Sequence, residues 1–549
     1  MNTIVTFSIL ALCTIQTIFC DDTLVKIQQG WLQGKSQEAI CHDFDYLSFE
    51  NIPYALPPTG ERRFKAPEEP EGWEGTRDAT AQGPMCPHYN ALTDVTVLGS
   101  EDCLTCDVYT PDITKKLPVL IWFSGFAHFF DEDDNIVYKP DFLVKDMVVV
   151  RCNFRKDALG YLNLGTKDVP GNAALKDQVA AMKWVNNNIQ AFGGDPERVT
   201  LAGISSGSAS ISNHIMSPMS SGLFHQVLML SGIHSCDAIY PHAVKEKSWE
   251  LGARLGLETD NPDELLINLQ NTDYKQFINA SYSMAMENKM NQMFKKMATF
   301  VPVEEEDFGQ DRFITENPME SLYHAPLNKV KVMTGYSRDE SILFIKQYYD
   351  FLLELYNKNR ELFVPSKILM KSLPDEEVND LANTIKNYYF QNKDIKPENM
   401  KEFIRMTSFS SMIYEVIRFA RQVSQHVDTY LFEFDSFSDR NIYGKEGLNY
   451  GIEGTAHADM LGYLFPMNMP LDMESREHDL IVQFVETVKN FVINGDPAYN
   501  GNVSWLKFTP EQPNYLEFTD TRTLKENPMS EQMKFWDEIY ERYTYPQEK

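Results

Sequence analysis

One pentapeptide in this chain combines a nucleophile with the backbone freedom needed to expose it. Gly203-Ile204-Ser205-Ser206-Gly207 is the single G-x-S-x-G in the sequence. The apolar run Val199-Thr200-Leu201-Ala202 before it reads as a buried strand, and Ser208-Ala209-Ser210-Ile211 after it can open a helix. This is the strand, tight turn and helix that the motif requires, with glycines two residues away leaving room for a strained serine. The hydroxyl then stands at a helix N-terminus, where the positive end of the dipole favours developing negative charge. The bland alternative is a glycine-serine turn without chemistry. A serine hydroxyl is a weak nucleophile until a base takes its proton. The chain must therefore also supply an acid and a histidine, in the order serine, acid, histidine that elbow-type sites use. Gly335-Tyr336-Ser337-Arg338-Asp339-Glu340 follows the buried run Val330-Lys331-Val332-Met333, which sets its two acids at a strand's C-terminal end. Gly454-Thr455-Ala456-His457-Ala458-Asp459 places a histidine in a small-residue loop before the helical-looking Met460 to Phe465. Alone, each segment is weak: acidic pairs usually mark solvated turns, and 11 histidines compete for the role.

The elements that would position these groups alternate between β-rich and helical patterns. Val119 to Phe123, Val148 to Val150, Val199 to Ala202, Val227 to Leu230, Val330 to Met333 and Tyr430 to Phe434 read as short buried strands. Ala173 to Phe192 has a helical face of Leu175, Val179, Met182 and Ile189, and Gly193-Gly194-Asp195-Pro196 ends it. A second amphipathic helix runs from about Leu480 to Ile493, with Gly495 as its C-cap. Strands alternating with helices predict an α/β fold with a mostly parallel sheet covered on both faces. The stretches 241–325 and 345–425 are richer in helical signals and read as large helical insertions over one face. No repeat, low-complexity tract or linker divides the 549 residues, so 21–549 is expected to form one domain.

Lys and Arg total 50 against 79 Asp and Glu, a formal charge of −29. Such a chain is repelled by phosphate backbones and anionic lipid, which argues against nucleic acid as a partner. Ile4 to Phe19 is an almost uncharged apolar run followed by Asp21 and Asp22. It reads as a signal peptide over 1–20, too short for a transmembrane anchor, although Met1-Asn2-Thr3 lacks the usual basic residue. The expectation is a secreted, extracellular protein without a stable membrane anchor. Of eight cysteines, Cys13 and Cys20 fall in that segment, leaving Cys41, Cys86, Cys103, Cys106, Cys152 and Cys236. An oxidising compartment predicts at least one disulfide, but spacing alone selects none. Asn279-Ala280-Ser281 and Asn502-Val503-Ser504 are glycosylation sequons. Oligomeric state is not readable from the sequence.

Several further motifs, in order, resemble the type-B carboxylesterases, the cholinesterase-like family, and within it the insect-type esterases. They are Asn51-Ile52-Pro53-Tyr54-Ala55 with Pro57-Pro58, Ser100-Glu101-Asp102-Cys103, Gly171 to Gln178, and Phe192-Gly193-Gly194-Asp195-Pro196. The resemblance covers about 24 to 540 and implies an α/β-hydrolase fold. It implies a catalytic triad of Ser205, Glu340 and His457, Glu340 being preferred over Asp339 because the family's acid is the Glu of its Asp-Glu pair. It implies a serine esterase acting on small carboxylic esters through an acyl-enzyme, with no metal or cofactor. The family's first disulfide maps onto Cys86 and Cys103. Leu257 and Asn268 stand where its second pair would be, and the pairing of Cys41, Cys106, Cys152 and Cys236 stays open.

The pattern breaks after the strand ending at Phe123. The family's His-Gly-Gly-Gly becomes Ser124-Gly125-Phe126-Ala127, followed by His128. The resemblance makes the backbone N–H groups of Phe126, Ala127 and Ser206 the oxyanion hole, and neither Phe nor Ala loses an N–H. If these positions need left-handed φ, side chains cost roughly 1–2 kcal/mol each. Ile204 stands where the family usually has an acid, and Ser206 where it usually has Ala. These departures sustain a second reading, a catalytically silent or very slow binding or scavenging protein. Choline esters are not expected as substrates: residues 87 to 102 contain Tyr89 but no Trp to face a quaternary ammonium. Phe126 and His128 are expected to narrow the acyl side, giving preference for short acyl chains. Equal turnover of acetyl and decanoyl p-nitrophenyl esters would contradict that.

Overall fold

The computed structural model describes residues 23–40, 43–90, 95–125, 138–237, 243–292, 299–321, 324–498 and 504–543. Eleven strands form one large sheet. They are β1 (Lys35–Glu38), β2 (Asp45–Pro53), β3 (Thr105–Thr110), β4 (Leu117–Phe123), β5 (Val148–Cys152), β6 (Gly194–Ile204), β7 (Gln226–Leu230), β8 (Lys331–Ser337), β9 (Thr429–Phe434), β10 (Asn514–Phe518) and β11 (Arg522–Glu526). Their spatial order is β11-β10-β9-β8-β7-β6-β4-β5-β3-β2-β1. Every pairing from β5 through β4 and β6 to β10 is parallel, and the two margins are antiparallel.

The parallel strands are apolar on both sides because both sides are covered. Along β4, Val119, Ile121 and Phe123 enter one core, whereas Leu120 and Trp122 enter the other. The first core receives Leu175, Val179, Met182 and Val185 of helix Ala173–Asn188, and Ala209, Ile211 and Ile215 of helix Ser206–Met216. It also receives the helical insertions, through residues such as Leu251, Leu265, Phe277, Ile385, Phe403 and Val416. The second core is closed by helix Arg476–Asn494, through Leu480, Phe484, Val488 and Phe491. That helix starts at Ser475, whose side chain accepts from the His478 N–H, and stops at Gly495 with φ 67°. A left-handed residue at that place is what glycine supplies cheaply.

Two disulfides divide the Cys103-x-x-Cys106 pair between them. One joins Cys86 to Cys103 and the other joins Cys106 to Cys152, directly opposite each other on β3 and β5. Cys236 is a buried free thiol that burial pushes well above the usual thiol range, so it is a poor nucleophile. Cys41 and the 1–20 segment lie outside the described residues. Among the described residues, no helix is long and apolar enough to cross a membrane.

Candidate active site

Ser205 sits between β6 and helix Ser206–Met216 with φ 55° and ψ −122°. An L-residue holds so unfavourable a conformation only where its surroundings over-determine it. Here they do. The Ser205 N–H donates to Leu230 O at 2.8 Å and the Ala209 N–H donates to Ser205 O at 2.9 Å. The glycines around it admit no side chain. A Cβ on Gly207 would lie 2.2 Å from Phe123 O, and one on Gly203 would lie 2.7 Å from the same oxygen. Gly125, after β4, is pressed into the same turn, since its Cβ would stand 1.9 Å from Ile204 O.

The segment after β7 connects this turn to the acid. A Cβ on Gly232 would lie 2.2 Å from Ser205 O, so Gly232 packs directly beneath the serine. Ser231, held at φ 46°, sends its hydroxyl to Glu340 Oε1 at 2.6 Å. Glu340 Oε1 also accepts the Ser337 N–H at 2.8 Å, and Glu340 Oε2 lies 2.6 Å from His457 Nδ1. The carboxyl is 2% exposed, so all three contacts are made away from water, where they are strong and geometrically exacting. The His457 main-chain N–H returns to Glu340 O at 3.0 Å.

The loop bearing His457 is fixed from two directions. The Thr455 hydroxyl donates to Phe434 O at 2.9 Å, and the Asp339 N–H donates to Thr455 O at 3.0 Å. Asp459 gathers the Ala456 N–H at 2.7 Å, the Tyr443 N–H at 2.9 Å and the Asn441 amide at 3.1 Å. Asp339, the sequence neighbour of Glu340, faces the Gly454 backbone and makes no contact with His457 among the described hydrogen bonds. The structure thus brings Glu340 and His457 together, and sets Ser205 at the C-terminal end of β6, two strands from the β8 end that carries Glu340. Among the described residues, the Ser205 hydroxyl has no hydrogen-bond partner. Ser206, buried, opens the helix beside it; Phe126 and Ala127, and with them His128, lie outside the described residues. Asn279 is exposed on helix Tyr274–Gln292, whereas Asn502 lies outside them.

Sequence reading had no place for Ser231 or Asp459. The signal for Ser231 is present: Ser231-Gly232 directly follows the buried strand Val227 to Leu230, the same strand-end position that carries Ser205 and precedes Glu340. Asp459 was visible only as a member of the histidine's segment. Its four donors come from residues 441 to 456, and no local pattern announces that convergence.

The profile of the carboxylesterase family matches residues 21–536. The chain belongs to the carboxylesterase family. It is 28% identical over 517 residues to venom carboxylesterase-6 of Apis mellifera, with 90% of each chain covered. It is 29% identical over 506 residues to the juvenile hormone esterase of Tribolium castaneum, covering 86% of this chain and 84% of that one. The crystal structure of juvenile hormone esterase from Manduca sexta, with OTFP covalently attached, matches it with a TM-score of 0.83 at 26% identity. That match covers 94% of this chain and 99% of the other. Together with the sheet order, it makes this carboxylesterase-family chain an α/β-hydrolase fold.

Two buried carboxyls, Glu433 and Asp459, and the half-buried Asp339 predict a pH-dependent stability for this carboxylesterase-family chain. Burial pushes Asp339 up to about 6, assisted by the negative charge of Asp435. Burial likewise pushes Glu433 and Asp459 up to about 7, against the donors that surround Asp459. Each group titrates near 4 when unfolded. A raised folded value means that the native state holds extra protons between about 4 and 7. The associated stability is complete below pH 4 and lost as pH rises through 7. Glu433→Gln keeps the neutral form at every pH. Relative to wild type, it is expected to gain up to about 3 kcal/mol between pH 4.5 and pH 8. Denaturant unfolding of both proteins across that range checks this, and a pH-independent difference would contradict it.

Proposed function

We propose that this chain is a secreted serine carboxylesterase that hydrolyses small carboxylic esters through an acyl-enzyme. The family and its esterase relatives support hydrolysis of carboxylic esters. The observation that carries the serine mechanism is the hydrogen bond from the buried Glu340 to His457, linked through Ser231 and Gly232 to a serine held at φ 55°. In this reading His457 takes the Ser205 proton as the oxygen attacks the ester carbonyl. Glu340 orients the imidazole and stabilises its charged form without itself being protonated. The oxyanion is held by the Ser206 N–H at the helix start, together with those of Phe126 and Ala127. The alcohol leaves with the proton from His457, and water hydrolyses the acyl-enzyme in the reverse sense. No metal or cofactor enters. Secretion would follow removal of 1–20, leaving 21–549 as one domain, with Cys86–Cys103 bridged and Asn279 and Asn502 as glycan sites.

The replaced oxyanion glycines favour a second reading, a silent or very slow scavenger. A fluorophosphonate probe combined with turnover of p-nitrophenyl acetate separates the two. Labelling at Ser205 with sustained turnover supports the esterase. Stoichiometric labelling with a single burst and no sustained turnover supports the scavenger. No labelling of the folded protein ends the serine mechanism.

A further inference from the structure

His457 sits in a turn that Asp459 closes with both its main chain and its side chain. The Asp459 N–H donates to Ala456 O at 3.2 Å, and Asp459 Oδ2 accepts the Ala456 N–H at 2.7 Å. His457 and Ala458 are looped out between these two bonds. The turn needs a left-handed residue, and Ala458 supplies it at φ 71°. A residue with a Cβ resists that conformation, so its surroundings must hold it there. The same carboxylate ties the turn to an earlier segment of the chain. Oδ1 accepts the Tyr443 N–H at 2.9 Å and the Gly444 N–H at 3.1 Å, and Oδ2 accepts the Asn441 amide at 3.1 Å. A Cβ on Gly444 would lie 2.5 Å from Asp459 Oδ2, so a side chain there would push the carboxylate away.

Each of these groups facing the two oxygens is a donor, and Asp459 is 1% exposed, so water does not stand in for a lost acceptor. An amide at this place must turn its NH₂ toward the Tyr443 N–H or toward the Ala456 N–H, and forfeits one main-chain partner either way. On its other side the histidine is held by Glu340 alone, through Nδ1 to Oε2 at 2.6 Å and the main-chain N–H to Glu340 O at 3.0 Å. The aim of the ring therefore depends on the turn as much as on the acid. A misplacement of about 1 Å in a reacting group can cost about 10²-fold in rate.

We propose that Asp459 is a positioning residue for His457, closing the left-handed turn that aims the imidazole. The inference rests on the esterase reading of Ser205, Glu340 and His457. It assigns Asp459 an effect on kcat rather than KM, because the imidazole moves a proton in the transition state and contributes little to ground-state binding.

The experiment measures p-nitrophenyl acetate hydrolysis, fluorophosphonate labelling rate and thermal midpoint at pH 8, where the Asp459 carboxyl, pushed up to about 7 by burial, is ionised. The proteins are wild type, Asp459→Asn, Gly444→Ala, and Asp459→Asn combined with Ala458→Gly. Asp459→Asn is expected to lower kcat and the labelling rate about 10²-fold, with KM within about threefold of wild type. Gly444→Ala keeps the charge but displaces the carboxylate, and is expected to lower kcat in the same sense. Adding Ala458→Gly to Asp459→Asn is expected to restore kcat about tenfold, because glycine takes the left-handed turn unaided. Loss of charge alone, or damage elsewhere in the fold, would not be repaired by that glycine. Asp459→Asn with kcat within about twofold of wild type overturns the inference, as does a loss carried in KM, a Gly444→Ala protein with wild-type kcat, or a double variant without recovery. If Asp459→Asn does not fold, the double variant and Gly444→Ala decide: lower kcat at unchanged KM in both supports the role, and wild-type kcat in either overturns it. If no variant folds, Asp459 holds the fold rather than the histidine, and the inference falls. A folded wild type that neither labels nor turns over removes the esterase reading and this inference with it, whereas an active wild type with an equally active Asp459→Asn removes this inference alone.

Discussion

Replacing Ser205 by Ala is expected to lower turnover of p-nitrophenyl acetate about 10⁵-fold and to abolish labelling by a fluorophosphonate. The serine oxygen is the atom that would form the covalent bond, and nothing beside it can substitute. Ser206 is buried within the helix start, and Ser231 spends its hydroxyl on Glu340. The variant should remain folded. The strain at φ 55° is borne by the backbone, by the Ser205 N–H to Leu230 O bond and by the glycines around it, none of which involves the hydroxyl. A thermal midpoint close to wild type, together with lost turnover, is the expected pair of results. Retained turnover would remove Ser205 from the reaction.

Glu340→Gln is expected to lower kcat about 10⁴-fold. The side-chain volume barely changes, so the effect is one of proton placement. Oε1 of Glu340 accepts from both the Ser231 hydroxyl and the Ser337 N–H. An amide at this place must keep its oxygen there, which turns its NH₂ toward His457 Nδ1. That nitrogen would then have to accept, leaving the proton on Nε2, the nitrogen required as the base. The imidazole is held in the wrong tautomer, and the serine has no acceptor. Steady-state kinetics across pH 6 to 9 check this, and a loss under tenfold would mean that Glu340 does not set the tautomer. Asp339→Asn serves as a contrast, since its carboxyl faces Gly454 rather than the histidine.

The parts of this molecule legible in its sequence are those whose signal is local. The apolar strands, the glycine-flanked serine and the helix ended by Gly495 each announce themselves within a dozen residues. The choice of Glu340 over Asp339 came from family resemblance, because both are acids in one loop and only packing shows which faces inward. The margins β1 to β3 escaped notice because they lack the continuous apolar runs of the central strands, and β1, Lys35–Glu38, has no apolar residue and is largely solvent-facing. The Cys106–Cys152 bridge was open among fifteen pairings until β3 and β5 were seen side by side. Ser231 reaches across strands to a partner 109 residues away, where no spacing rule reaches.

The order of strands from β6 to β10 has a consequence for a growing chain. Each newly made strand is laid beside the one made just before it, so this half of the sheet extends by accretion from one margin. The chemical groups follow the same sequence, serine after β6, its supporting hydroxyl after β7, carboxylate after β8 and imidazole after β9. Folding that keeps pace with synthesis would therefore complete the relay last, when most of the scaffold already exists. On the proposed triad, a ribosome stalled before residue 429 would carry a framed Ser205 without its base, and a nonsense codon there would yield no partial activity.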